Sequence, residues 1–207
     1  MHVLDWQLVA VEGHVHVVAI LCEAGANPTA VMKNDFTPLD FAAEFNHPQT
    51  AELLCSYGAG LRSDAARQAD RAGHTALARW LEASGEYTTP LHHLNTVTPE
   101  RAYKLLRDGA DIHACAAPGR PSPLSLAREL ADKGETLPGS TADLILTAAA
   151  PWSTETHDLF PHEVRARACE IMKVGWLLSR QNDIFWGREQ ALLDTWLECV
   201  LPGAVSR

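Results

Sequence analysis

The sequence predicts an all-α fold built from short, repeated helix pairs. Apolar residues recur at helical spacing in short segments, and one segment is copied elsewhere in the chain about 33 residues away. The clearest copy runs from Asn34 to Ala59, NDFTPLDFAAEFNHPQTAELLCSYGA. One helix pair is too small to bury its own apolar face, so we expect neighbouring pairs to stack on each other.

Local chemistry accounts for both helices of this segment. Pro38 lies in the first turn of a helix, where its missing N–H has no partner to lose, and Thr37 can cap the exposed N–H groups with its hydroxyl. A break at Asn46 and His47 separates the two helices. Gly58 is expected to end the second helix in a left-handed conformation that glycine adopts without strain.

The same pattern occurs upstream of this segment. Gly25 and Gly58 are 33 residues apart, and so are His14 and His47. With T-P-L, A-A, L-L and G-A at matching places, the sequence resembles the ankyrin-repeat family. The resemblance implies an ankyrin-repeat α-solenoid, in which turns project from stacked helix pairs.

Five such repeats are expected within residues 1–140, and several are irregular. The first lacks the Thr-Pro pair, either because a terminal repeat is atypical or because earlier repeats are missing from the sequence. The third also lacks Thr-Pro and is short, since Gly58 and Gly85 are only 27 residues apart. The repeats are placed at residues 1–27, 28–60, 61–86, 87–111 and 112–140.

Residues 141–207 are predicted to form a small C-terminal helical module. Helices are expected at residues 142–149, 161–180 and 188–200. The connector after the first of them carries the run WSTETHDLFP, from Trp152 to Pro161. This run is similar to C-terminal extensions of ankyrin proteins from microalgae, and that likeness implies no particular function.

Composition excludes several classes of function. A net charge of −9 and the absence of basic runs argue against a nucleic-acid or anionic-membrane surface. No apolar run approaches the roughly 18 residues that a membrane span needs, and no secretory signal is evident. Five cysteines without a CxxC pair suggest reduced thiols. We therefore expect a cytoplasmic protein, with the nucleus as the alternative location, that is monomeric by itself.

The ten histidines raise the question of a metal site. His14, His47 and His74 share one repeat position, and His92 holds the last place of a T-P-L-H motif. The ankyrin resemblance implies a structural role there, in which the imidazole bonds backbone or hydroxyl groups and fixes the turn between helices. We expect no metal, no cofactor and no catalytic residues.

The resemblance also implies where a partner would bind: on the projecting turns and just after the A-A pair. Phe36 and Phe45 stand out, because a large apolar ring at a solvent-facing position favours a binding hot spot. Alternatively, either ring folds back onto the neighbouring repeat. The full set of expected contact residues is Lys33, Asn34, Phe36, Glu44 and Phe45 in the second repeat, with Val11, Glu12, Arg71, Arg120 and Glu129 in other repeats.

Three functional hypotheses follow. The preferred one is a non-enzymatic interaction module that binds a protein partner, with the C-terminal helices capping the solenoid. The second is a substrate adaptor of a ubiquitin ligase, in which the segment LFPHEVRARACEIM is a docking box. The third is a small enzyme with its site around His157, His162 and Cys169.

Overall fold

A computed structural model describes residues 8–31, 35–59, 64–85, 87–179 and 194–205. All regular secondary structure in these ranges is helical, as predicted. The chain divides into a first unit, Met1–Val97 with His113–Leu126, and a second unit, Thr98–Ile112 with Ala127–Arg207. The expected boundary at residue 140 falls within the second unit and stays a prediction. None of the described helices is both long enough and apolar enough to cross a membrane.

The first unit consists of short helices that pair as the repeat pattern predicts. First helices of neighbouring repeats contact each other: α2, Pro38–Glu44, contacts α4, Ala65–Arg71. Second helices do the same: α1, Val15–Glu23, contacts α3, Pro48–Ser56. Residues 8–11 are also helical and precede α1. The bounds are Val15–Glu23 for α1, Pro38–Glu44 for α2, Pro48–Ser56 for α3, Ala65–Arg71 for α4 and Thr75–Ser84 for α5.

The predicted cap on α2 is present and is reciprocal. The Asp40 amide donates to Thr37 Oγ1 over 3.3 Å, and the Thr37 amide donates to Asp40 Oδ2 over 2.7 Å. Two orphan donors of the helix start are thereby satisfied, which stabilises a helix by about 1 kcal/mol. Ser122 and Ser125 exchange bonds in the same way: the Ser122 amide donates to Ser125 Oγ over 2.8 Å, and the Ser125 amide donates to Ser122 Oγ over 3.2 Å.

The core of the first unit is made of leucines and alanines that face neighbouring helices. Leu39, Ala42, Ala43, Ala51 and Leu54 are all fully buried. Burying each leucine contributes about 2 kcal/mol relative to leaving it exposed, while the alanines allow the helix axes to approach closely. The pattern Leu-x-x-Ala-Ala therefore determines how closely the repeats pack.

The fourth predicted repeat begins with less helix than its T-P-L-H motif suggests. Pro90–His92 forms a single 3₁₀ turn, and no α-helix follows before Thr98. The reason is local: the His93 carbonyl accepts the amides of Thr96 and Val97, at 3.0 and 2.9 Å, which turns the chain at once. Thr98 then caps the next helix, because its Oγ1 accepts the Arg101 amide at 3.3 Å.

The second unit contains the remaining helices, and the residues of α7, Pro123–Asp132, are divided between the two units. Within the second unit, α8, Thr141–Ala149, packs against α6, Pro99–Arg107. The predicted helix at 188–200 lies partly outside the described residues, and its predicted end is wrong. A π-helical stretch at Trp196–Val200 continues into α10, Leu201–Ala204, whose second residue is Pro202. The bounds are Pro99–Arg107 for α6, Pro123–Asp132 for α7, Thr141–Ala149 for α8, His162–Ser179 for α9 and Leu201–Ala204 for α10.

Trp152 anchors the core of the second unit. Its side chain is 1% exposed and clusters with Phe160, Ala168 and Leu201. Its indole Nε1 donates to His157 Nδ1 over 3.2 Å, so the buried N–H has a partner. This bond explains the Trp-Ser-x-x-x-His spacing of the connector as a structural feature.

We expect Gly175→Ala to destabilise the protein by roughly 1–3 kcal/mol. A Cβ at Gly175 would lie 2.7 Å from Trp196 Cδ1, and the Trp196 ring is held there by a 3.1 Å bond from Nε1 to the Ile171 carbonyl. The matched control is Gly203→Ala in α10, where nothing lies within 4 Å. There alanine should be neutral or stabilising, because it favours helix. Thermal unfolding checks both, and equal melting temperatures would contradict the contact.

Candidate partner-binding surface

A histidine in the second repeat reaches back to the first. His47 Nε2 donates to the Val11 carbonyl over 2.7 Å. The His47 ring lies directly against Gly13, where an added Cβ would be only 2.6 Å from His47 Cγ. Gly13 itself has a φ of +69°, which glycine adopts without strain. The two repeats are therefore joined by a hydrogen bond and by close packing at the same point.

The third repeat makes the equivalent bond to the second. His74 Nε2 donates to the Glu44 carbonyl over 3.1 Å. Val11 and Glu44 are 33 residues apart, so the two bonds are one contact repeated along the unit. We call it the histidine bridge. Each imidazole bonds backbone, as predicted, but the carbonyl belongs to the preceding repeat and not to the histidine's own turn.

The bridges bind the last residues of two first helices, and five of the expected contact residues lie at these ends and at the equivalent end of α4. Phe45 is 48% exposed, although it is a large apolar ring. Val11 is half-buried, while Glu12, Glu44 and Arg71 are exposed. The bridges hold the carbonyls of Val11 and Glu44, and with them the backbone next to Glu12 and Phe45. We call Val11, Glu12, Glu44, Phe45 and Arg71 the first-helix row.

The projecting turn of the second repeat contributes less exposed surface than expected. The Phe36 ring lies 5.3 Å from the Phe41 ring, centroid to centroid, and its side chain is only partly exposed. It therefore packs on α2 of its own repeat. Lys33 and Asn34 lie outside the described residues.

The two expected contact residues of the fifth repeat are separate from this row. Arg120 is exposed in the turn that precedes α7. Glu129 is exposed on α7 and accepts a 2.6 Å bond from Lys133, which lowers the pKa of its carboxyl. Glu129 falls in the second unit, whereas the first-helix row and Arg120 fall in the first.

Similarity to known proteins decides what kind of repeat this is. A family model described as "Ankyrin repeats (many copies)" matches residues 4–54. Residues 4–54 are ankyrin repeats. They include the first histidine bridge and four members of the first-helix row. No curated protein shows significant similarity to the chain.

Ankyrin repeats generally serve as protein–protein interaction modules. An exposed aromatic ring lies beside a carboxylate, Glu44, on a helix end with a fixed backbone. Aromatic anchors in such rigid settings are typical interface hot spots.

A small cavity and a buried thiol lie outside the first-helix row. A cavity of about 40 Å³, room for a water molecule, is lined by Cys55, Ser84 and His93 among others. Burial raises the pKa of the Cys55 thiol to about 12, so this cysteine stays protonated and is a poor nucleophile. In the part of the chain that the structure describes, no three His, Cys, Asp or Glu side chains form a group that could hold a metal.

The histidine bridges are a structural feature that the sequence reveals only in part. The periodic recurrence of His14, His47 and His74 signals a shared role. Which carbonyl each imidazole reaches depends on the spacing between stacked repeats. No single segment of the sequence specifies that spacing.

Proposed function

We propose that this protein is a non-enzymatic interaction module that binds a protein partner through the concave surface of its ankyrin repeats. The observation that carries the proposal is Phe45, a large apolar ring left 48% exposed on a helix end that a histidine bridge holds in place. Leaving such a ring in water is unfavourable unless a partner covers it.

The charge around Phe45 indicates the partner's surface. Glu12 and Glu44 are exposed on the first-helix row, and the chain as a whole carries a net charge of −9. A partner with an apolar pocket and a basic rim complements this arrangement, which would speed association as well as select the partner. Among the described residues, Cys22, Cys55, Cys115 and Cys169 form no disulfide, which supports a cytoplasmic or nuclear setting.

The test is a quantitative pull-down with the full-length chain as bait. Phe45→Ala should reduce recovery of the partner by at least tenfold, since losing a hot-spot side chain weakens binding by about 2 kcal/mol or more. Leu137→Ala is the matched control, because Leu137 is also an apolar residue, 70% exposed, but lies in the second unit. If the native chain, Phe45→Ala and Leu137→Ala recover the partner equally, the assignment of Phe45 to the binding surface is wrong.

One observation favours the adaptor function as a second candidate. On α9, Val174 and Leu177 are 49% and 58% exposed, which leaves apolar surface for docking. The predicted start of the docking box is buried, since Leu159 and Phe160 are 6% and 2% exposed in the core of the second unit. Co-purification of a Skp1-like or elongin-like protein, abolished by Leu177→Ser but not by Phe45→Ala, would support this alternative.

A further inference from the structure

The first-helix row carries charges of opposite sign at its two ends. Each of the first three repeats contributes to it from the last residue of its first helix or the residue that follows: Val11 and Glu12 in the first repeat, Glu44 and Phe45 in the second, and Arg71 in the third. All of these except Val11 are exposed. Along the stack, the row is therefore acidic in the first repeat, acidic with an aromatic ring in the second, and basic in the third.

The two acidic groups of the row lie where the fold itself favours basic ones. Glu44 is the last residue of α2, and Glu12 directly follows the last helical residue of the first repeat. The C-terminal end of a helix carries a partial negative charge, so a carboxylate there is unfavourable for the helix. A cation supplied by a partner would offset this repulsion. Glu12 and Glu44 are therefore better explained by a basic partner group than by the stability of the repeats.

The spacing of the stack determines which kind of partner element fits the row. The first helices of the second and third repeats, α2 and α4, contact each other, and packed helices lie about 8–10 Å apart. Residues i and i+7 of an α-helix share one face and are about 10.5 Å apart. Residues on one face of a β-strand are about 6.6 or 13 Å apart, which matches the stack poorly. A helix laid along the stack therefore presents one residue to each repeat.

We propose that the partner engages the first-helix row with a single amphipathic α-helix that lies along the stack. This helix carries a basic residue opposite Glu12, an apolar centre opposite Phe45 and an acidic residue opposite Arg71, at its positions i, i+7 and i+14. The helix rests on the function proposed above and specifies the chemistry of the partner.

The apolar centre of such a helix suits the shape of Phe45. The Phe45 ring is 48% exposed, so it can insert as a knob between partner side chains. Four aliphatic side chains on successive turns of a helix form a hole that receives such a knob. The flanking charges then fix the direction of the helix, because the reversed helix would place like charges opposite Glu12 and Arg71.

The test measures binding of labelled synthetic peptides to the full-length chain by fluorescence anisotropy at low salt. The first peptide is an alanine-rich helix with lysine at i, leucines around i+7 and glutamate at i+14. A second peptide has lysine at both ends, and a third is the first peptide with a proline in its central turn, which breaks the helix. We expect the first peptide to bind about fivefold more tightly than the second, because an attractive charge pair replaces a repulsive one, and more than tenfold more tightly than the third.

Variants of the chain locate each contact. Arg71→Glu should make the chain prefer the second peptide over the first, again by about fivefold. The matched control is Arg79→Glu, which makes the same charge change at an exposed arginine of α5 outside the row and should keep the native preference. Phe45→Ala should weaken binding of the first peptide by more than tenfold. Circular dichroism verifies that each variant is folded.

The helical partner and the protein-binding function fail on different results. The helix is overturned if the first peptide does not bind saturably, if either of the other peptides binds as tightly, or if Arg71→Glu leaves the preference unchanged. The pull-down with Phe45→Ala still decides the proposed function in each of these cases. Recovery of the native partner that Phe45→Ala does not reduce overturns both.

Discussion

Replacing Gly13 with alanine is expected to destabilise the first unit by roughly 2–5 kcal/mol, one of the two largest effects expected of a single substitution. Two penalties combine at this position. The φ of +69° is unfavourable for any residue with a Cβ, and that Cβ would lie 2.6 Å from His47 Cγ. The ring would have to move, and its bond to the Val11 carbonyl would break. Denaturant unfolding of the full chain measures the loss.

Gly73→Ala separates the two penalties. Gly73 holds the same place in the third repeat and has a φ of +84°, but a Cβ added there would meet nothing within 4 Å. Only the backbone strain of about 1–2 kcal/mol should appear there. If both variants lower the free energy of unfolding equally, the close packing of the His47 ring against Gly13 contributes no stability.

Trp152→Ala is expected to cost the second unit about 3–5 kcal/mol. Its indole is 1% exposed at the centre of the cluster with Phe160, Ala168 and Leu201, so its removal leaves a large cavity. It also leaves His157 Nδ1 without its 3.2 Å donor. Unfolding followed by circular dichroism measures the loss.

Two further substitutions calibrate this value. Trp176→Ala removes the same side chain from a position that is 47% exposed and should cost far less. Trp152→Phe keeps most of the volume and should lose about 1 kcal/mol for the missing hydrogen bond. A loss at Trp152→Ala no greater than that at Trp176→Ala would show that the connector is not part of a core.

Much of the fold could be predicted because its signals are local. The Thr37 and Pro38 pair specifies a helix start, and Gly58, with a φ of +88°, specifies a helix end. The reduced first helix of the fourth repeat could not be predicted from the T-P-L-H motif. There the turn at His93 and the cap at Thr98 end the first helix early. The motif alone does not specify whether a full helix or this early turn forms.

The candidate surface could be predicted in part, for a similar reason. Repeat register assigns Phe36 and Phe45 alike to solvent-facing positions. Phe45 is 48% exposed, but Phe36 packs on Phe41, because an aromatic ring one turn into α2 is within its reach. Register gives the direction of a side chain, whereas its neighbours in space determine whether it stays exposed.

The central claim is that a partner covers the first-helix row, and hydrogen–deuterium exchange of the full chain with and without the recovered partner tests it most directly. We predict slowed amide exchange in peptides containing Glu12, Phe45 and Arg71, with little change in α9. Protection confined to α9, with the row exchanging as in the free protein, would contradict the claim and favour docking through the second unit.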